Sequence, residues 1–301
     1  MTAKFPAPLQ KGDRIMFVSP AGIPVPDEVH AAKKVLEDEG FEVIISHHAL
    51  GQSGSYSGTA EQRFSDLADA FEDPLTRAII CTRGGYGVVH LMDRLNRLPI
   101  EDDPKWVVGF SDISALHALM ASKGIASVHA SMAKQIMLGP DDPDNAALLS
   151  ILRGGKPNFT FPSSAYDHPG TAEGKLYGGN LAVLAQLIGT PYDILKKDTI
   201  LFIEDVSEPI YKIERMLYQL KLNGVLPNLN GLIVGQFTDY KADRNYSSME
   251  KMISDMVNGY NYPIAFNAPI GHVSHNIPVI EGARVTLKVT TTDNNHLIYW
   301  Q

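Results

Sequence analysis

The stretch Ala78-Ile79-Ile80-Cys81-Thr82-Arg83-Gly84-Gly85-Tyr86-Gly87 (78–87) runs from three apolar residues and a cysteine into a loop with three glycines in four positions. A short apolar run stopped by turn residues reads as a buried strand, and residues 88–96 beyond the loop predict a helix. The same strand–loop–helix unit recurs on both sides. Residues 14–18 (RIMFV) form a strand broken by Ser19-Pro20-Ala21-Gly22. Residues 27–39 follow as a helix, with Val29, Ala32, Val35 and Leu36 near the 3.6-residue period and Gly40 as a stop. Phe41–Ile45 predicts a second strand. Residues 59–73 predict a helix opened by a Thr59/Gln62 capping box. Val107–Phe110 predicts a fourth strand, and a helix runs from Ile113 to about Ser122. Strands alternating with helices imply crossovers and a mostly parallel, doubly wound sheet, whose working loops lie at the carboxyl ends of its strands. Residues 1–140 are expected to form this N-terminal α/β domain.

After Leu138 the texture changes. Gly139-Pro140-Asp141-Asp142-Pro143 is turn-like and 153–172 is rich in Gly, Pro, Ser and Thr, so 141–164 is expected to be a linker. Residues 165–301 then read as a second, mixed α+β domain. Its expected helices are 181–188, 210–222 and 247–258, and its expected strands 199–203, 231–235 and 284–290.

Composition narrows the function. With 44% hydrophobic and 20% charged residues, the 301-residue chain can bury a full core. A net charge of −8 argues against nucleic acid as a partner, because binding it requires a basic footprint. The single cysteine, Cys81, excludes a disulfide framework; it closes an apolar strand, where burial is its expected role. The first residues, MTAKFPAPLQKGDR, lack the apolar core of a signal peptide. No run of about 18 apolar residues predicts a membrane span, so a cytoplasmic protein with no membrane partner is expected.

Four loops could carry chemistry. Arg83-Gly84-Gly85, directly after the third strand, could present backbone N–H groups to an anion or simply turn the chain. Ser111, in Gly109-Phe110-Ser111-Asp112, follows the fourth strand. A serine on a sharp strand-to-helix turn exposes its hydroxyl, although the general GxSxG pattern fails because Ile113 takes the second glycine's place. The alternative is that Ser111 or Asp112 caps the helix. Glu204 closes the apolar strand 199–203, where it could orient a histidine; Glu208 and a solvated Asp205 are rivals, and all three could be surface acids or caps. His272 and His275, in PIGHVSHNIPV (269–279), offer a base near neutral pH. The pair lacks the HExxH pattern and any cysteine cluster, so zinc is not indicated. Gly178-Gly179-Asn180 is a further glycine turn before a helix, suited to substrate backbone or to a cap. Neither a GxGxxG fingerprint nor a Walker A loop is present.

Taken in order, GDRIMFVSPAG (12–22), SGTAEQRFSDL (57–67, with Arg63), CTRGGYG (81–87), GFSDISAL (109–116), YGGNL (177–181), LFIEDVSEPIYKIERMLYQL (201–220) and APIGH (268–272) resemble the LD-carboxypeptidase family of serine peptidases. That family includes murein tetrapeptide carboxypeptidases and microcin C7 immunity proteins. The resemblance implies a Ser–His–Glu triad of Ser111, His272 and Glu204, lying in a cleft between the two domains. It implies an oxyanion hole from the backbone of Asp112 and of Gly84 or Gly85, a substrate carboxylate held by Arg83, and peptide contact by Asn180. It implies no cofactor or metal, a small peptide as substrate, and a homodimer. The function it implies is release of terminal D-Ala from murein tetrapeptide in peptidoglycan recycling. The alternatives are immunity-type cleavage of a peptidyl- or aminoacyl-nucleotide amide, for which only Trp106 and Trp300 could stack on a base, and a non-catalytic protein that closes on a small anionic ligand.

Overall fold

The computed structural model describes residues 3–195 and 198–300. In chain order the elements are β1 (Arg14–Val18), α1 (Pro26–Asp38), β2 (Glu42–Ile45), α2 (Ala60–Glu72), β3 (Thr76–Cys81), α3 (Met92–Leu95), β4 (Trp106–Gly109), α4 (Ser114–Ser122), β5 (Ser127–His129), α5 (Ala133–Ile136) and α6 (Pro143–Leu152). They continue as β6 (Phe159–Pro162), β7 (Gly170–Asn180), α7 (Leu181–Leu187), β8 (Thr199–Val206), α8 (Ile210–Leu222), β9 (Gly231–Thr238), α9 (Met249–Val257), β10 (Ile264–Ala265), β11 (Val279–Glu281), β12 (Arg284–Val289) and β13 (Asn294–Tyr299). The chain divides into two compact units. One holds Met1–Lys156 with Pro278–Glu281, and the other holds Pro157–Ile277 with Gly282–Gln301.

The first unit is built on a sheet of order β11-β5-β4-β3-β1-β2. Its five strands β1 to β5 run parallel, in the doubly wound order 2-1-3-4-5. The interior strands read as near-continuous apolar runs because helices cover both faces of such a sheet: from Ala78 to Cys81 in β3, and throughout β4, every residue is buried. Cys81 lies in this core, and burial drives its thiol pKa well up. The capping box of α2 is formed in both directions, Gln62 N–H to Thr59 Oγ1 and Thr59 N–H to Gln62 Oε1. Helix α4 is buried nearly all round, which its apolar sequence SALHALMAS dictates.

Two features depart from the local reading. The stretch 141–164 is not continuous loop: α6 starts at an Asp142 cap with Pro143 in its first turn, and β6 follows. Strand β11, from the C-terminal half, pairs antiparallel with β5 through Val279↔His129 and closes that edge of the first sheet. Three residues of Val-Ile-Glu carry too little pattern to announce this from sequence.

The second unit has a mixed sheet of order β10-β9-β8-β7-β12-β13-β6. Strands β7 to β10 are parallel and linked by α7, α8 and α9, while β12, β13 and β6 add antiparallel. Strand β8 is the buried spine, with every residue from Thr199 to Asp205 buried. Among the described residues no helix is long and apolar enough to cross a membrane, and no cluster of three or more His, Cys, Asp or Glu could hold a metal ion.

The side chain of Phe202 is fully buried at the centre of β8. Phe202→Ala is expected to cost about 3–5 kcal/mol of stability, read as a lowered urea midpoint for the second unit with little change in slope.

Candidate active site

In the first unit, strand β4 ends in a sharp turn. Phe110 is extended (φ −149°, ψ −173°) and Ser111 then swings to φ +67° before the helical turn that leads into α4. A non-glycine residue in this region is strained by about 1–3 kcal/mol. Neither end of that turn carries a side-chain cap, so Ser111 is not the helix cap that was its bland alternative. The turn forms without the second glycine of GxSxG because the tight spot lies elsewhere. A Cβ on Gly109 would stand 3.0 Å from both γ carbons of Ile113 and 3.2 Å from Cys81 Cβ, so Ile113 fills the space that Gly109 leaves. The carbonyl of Gly109 is fixed by Ala130 N–H at 3.1 Å and by Nε2 of buried His117 at 2.8 Å. Burial holds His117 down to about 4. The ring is therefore neutral at pH 7, donating from Nε2 and accepting from Ser127 Oγ at Nδ1.

The glycine loop after β3 presses on this turn. A Cβ on Gly84 would lie 2.7 Å from Ser111 Cβ and 2.8 Å from its Oγ, so only glycine fits. Gly22 N–H, from the loop after β1, donates to Gly84 O at 2.9 Å. Asp112 is not a cap either. Its buried carboxylate accepts Val88 N–H at 2.9 Å and so ties the serine turn to the far end of the glycine loop. Burial raises its pKa, partly opposed by the Val88 and Gly87 amides and by Arg63. Arg63, 2% exposed, donates to the carbonyls of Pro20, Gly58 and Gly87, bolting together the loops after β1 and β3. Arg83 is exposed and donates to Ile23 O at 3.1 Å, a carbonyl rather than the carboxylate of an internal ion pair.

In the second unit, Glu204 sits where the β8–β9 register slips. Ile203 pairs with Val234 but Asp205 with Phe237, leaving Gly235 and Gln236 both opposite Glu204. Such a bulge re-aims a side chain. Glu204 is fully buried, and its Oε2 meets His272 Nδ1 at 2.7 Å. Gly271 makes the approach possible: it has φ +126°, and a Cβ there would fall 2.9 Å from both Glu204 Cβ and Oε2. The loop is anchored on β9 by Gln236 N–H to Ile270 O and internally by Gly271 N–H to Asn276 Oδ1. Burial alone would lower the pKa of His272, but the hydrogen bond and charge of Glu204, with Asp205 and Asp239 adding, raise it above its ordinary value.

The rivals take other partners. Asp205 is not solvated but 3% exposed, accepting Asn180 Nδ2 at 3.0 Å, Val206 N–H and Ala182 N–H. Burial pushes it up to about 6. Glu208 pairs with Lys212 at 3.2 Å. His275 is exposed, and the carboxylate of Glu204 bonds His272 instead. Asn180 caps α7 through Val183 N–H and bonds Asp205, so it serves as the cap that its sequence allowed. Sequence reasoning missed the work of Arg63, His117, Gly271 and the β9 bulge. Only Arg63 and Gly271 left a signal, as members of the quoted motifs.

Serine hydrolases use groups of these kinds, a serine on a strained turn after a strand and a carboxylate–imidazole pair. The comparisons give the class. Residues 15–130 match the LD-carboxypeptidase N-terminal domain and residues 173–287 the LD-carboxypeptidase C-terminal domain. The chain belongs to the LD-carboxypeptidase family, whose members are carboxypeptidases of the serine-peptidase type. Over 290 residues it is 31% identical to the murein tetrapeptide carboxypeptidase of Pseudomonas aeruginosa, covering 90% of this chain and 94% of that one. Among solved structures it is similar to muramoyltetrapeptide carboxypeptidase from Oxalobacter formigenes (25% identity, TM-score 0.83, 96% and 99% covered). In fold it is similar to an MccF-like protein from Bacillus anthracis (24% identity, TM-score 0.86, 99% and 100% covered).

Gly271→Ala forces both an unfavourable φ and a collision with Glu204. It is expected to cost about 1–3 kcal/mol in chemical denaturation and to return the His272 pKa, followed by NMR titration, toward its ordinary value.

Proposed function

We propose that the chain is a serine carboxypeptidase that hydrolyses the LD-peptide bond before the terminal D-Ala of murein tetrapeptide, as a cytoplasmic homodimer in cell-wall recycling. The observation that carries this reading is the Glu204–His272 pair at 2.7 Å, its carboxylate fully buried, together with the strained turn at Ser111 and membership of the LD-carboxypeptidase family. The reading requires the Ser111 hydroxyl and His272 Nε2 to meet during turnover.

In the proposed reaction His272 accepts the Ser111 proton, and Glu204 holds the Nδ1–H tautomer and balances the imidazolium. Oγ bonds to the scissile carbonyl carbon. As the tetrahedral intermediate collapses, the C–N bond breaks and His272 returns its proton to the leaving amine of D-Ala. Water, deprotonated by His272, then cleaves the ester and restores Ser111. Amides of Asp112 and of Gly84 or Gly85 receive the oxyanion, each donor being worth on the order of 100-fold in turnover. The exposed guanidinium of Arg83 pairs with the terminal carboxylate, for which its fork is suited. Asn180 bonds the Val183 amide and Asp205, whose charge adds to that of Glu204 on His272. The nucleotide-amide reading loses one of its two indoles, because Trp106 is buried and bonds Ala7 O.

Ser111→Ala is expected to lower D-Ala release from the tetrapeptide by a thousandfold or more (an order-of-magnitude figure), measured by mass spectrometry, and to abolish labelling by a fluorophosphonate probe. Retained release would remove Ser111 from the mechanism. The base must be neutral to act, and Glu204 raises its pKa. Therefore kcat/KM is expected to rise with pH through an apparent pKa above about 6.5 and to be lost below it. Glu204→Gln is expected to cut the plateau and move that pKa down. An unmoved pH profile would separate Glu204 from the base.

A further inference from the structure

One buried cation near the serine turn has no part in the proposed proton transfers. Arg63 lies on α2, and its guanidinium bonds backbone carbonyls. Nε donates to Gly58 O at 3.1 Å, while Nη1 donates both to Pro20 O at 2.5 Å and to Gly87 O at 3.0 Å. The two hydrogens of one nitrogen thus join the loop after β1 to the loop after β3. The peptide between Gly87 and Val88 is gripped at its other end too, where its N–H donates to the buried Asp112 carboxylate at 2.9 Å. A cation on the carbonyl and an anion on the N–H match the peptide's own dipole, so turning that peptide over would set each charge against the wrong end. Burying a charge is costly, and neutral donors would satisfy the same carbonyls without that cost. What the two charges add is a fixed peptide plane.

That peptide closes a loop of tight contacts. At the loop's start Gly84 lies so near the serine that a Cβ on it would stand 2.7 Å from Ser111 Cβ and 2.8 Å from Oγ. The Gly84 carbonyl accepts Gly22 N–H at 2.9 Å, and Gly22 belongs to the loop that Arg63 holds at Pro20. Both ends of 84–87 therefore lead back to one guanidinium. Gly87 has φ +126°, and a Cβ there would fall 2.8 Å from Nη1 of Arg63. We propose that Arg63, acting with Asp112 across the Gly87–Val88 peptide, is a positioning residue for the reaction. It sets the Gly84 and Gly85 backbone against Ser111 and so governs the rate of attack, while touching no substrate. This rests on the role proposed above for Ser111.

The test uses the full chain and follows two quantities, the rate constant for labelling of Ser111 by a fluorophosphonate and the fraction of chains finally labelled. Arg63→Lys keeps the charge but lacks the planar fork that spans three carbonyls. It is expected to slow labelling, and to lower kcat on the tetrapeptide, by on the order of 100-fold, the effect of a misplacement of about 1 Å. KM should stay within about threefold and the labelled fraction should not change. Asp112→Asn should act in the same direction, and the double variant should be little slower than the slower single one, because the two side chains hold one peptide. A smaller labelled fraction at the wild-type rate constant would mean that Arg63 only keeps the chain folded, and would overturn the proposal. A variant labelled as fast and as fully as wild type, or single effects that multiply in the double variant, would overturn it too. Gly87→Ala, which meets Nη1 from the loop side, is expected to slow labelling equally and takes the place of Arg63→Lys if that variant does not fold. Amide hydrogen exchange separates the clamp from the role of Ser111. Exchange about tenfold faster across 84–88 in Arg63→Lys upholds the clamp even if wild-type Ser111 takes no label, an outcome that would sink the proposed nucleophile alone. Unchanged exchange sinks the clamp.

Discussion

At Ser111 the backbone turns left-handed while Gly84 lies against the side chain, closer than any Cβ could come. Holding a strained serine against a second loop costs about 1–3 kcal/mol, and the surrounding network is what offsets it. Asp112 draws the serine turn onto the Val88 amide, Arg63 joins three loop carbonyls, Gly22 holds the Gly84 carbonyl, and His117 fixes the carbonyl of Gly109. Several of these bonds involve a buried charge and are individually stronger than neutral ones. The loops after β1, β3 and β4 therefore form one rigid edge at the carboxyl ends of the strands. This is also where the order 2-1-3-4-5 reverses, and where such sheets hold their ligands.

The pair in the second unit has the opposite economy. Glu204 is fully buried with one oxygen on His272, and its other oxygen has no hydrogen-bond partner among the described residues. A buried carboxylate so thinly satisfied gains little net stability. What it gains is a raised imidazole pKa, and perturbed pairs of this kind cluster where protons are moved. The sign for stability follows from the raised pKa. The attraction contributes fully below the ordinary histidine pKa and fades as pH rises through the raised one, so it is weakest where a neutral base is needed. The pair contributes little to holding the unit together, which accords with the catalytic role proposed for it.

Much of this was legible in the chain. The alternation of apolar strands with 3.6-period helices over 14–122 gave the parallel sheet, because burial on both faces leaves no ambiguity in β3 and β4. The Thr59–Gln62 box was legible because its two bonds are local. What escaped was non-local. Strand β11 joins the first sheet from across the chain, and the β9 bulge that aims Glu204 lies outside every quoted motif. Asp205 looked solvated because a charged residue at a strand end usually is, yet Asn180 and two backbone amides carry it into the interior.

The failure of GxSxG at Ile113 is instructive for the same reason. A motif records where a particular fold is too tight for a side chain, and the tight places differ between folds that set up the same turn. Here the close approaches are Gly84 on Ser111 and Gly271 on Glu204, on separate segments of chain. Each glycine is remote in sequence from the residue whose approach it permits, Gly84 preceding Ser111 across α3 and β4 and Gly271 following Glu204 across α8, β9, α9 and β10. The signature is therefore scattered over several short motifs, each weak alone, whose order along the chain carries the information that a single compact pattern carries elsewhere.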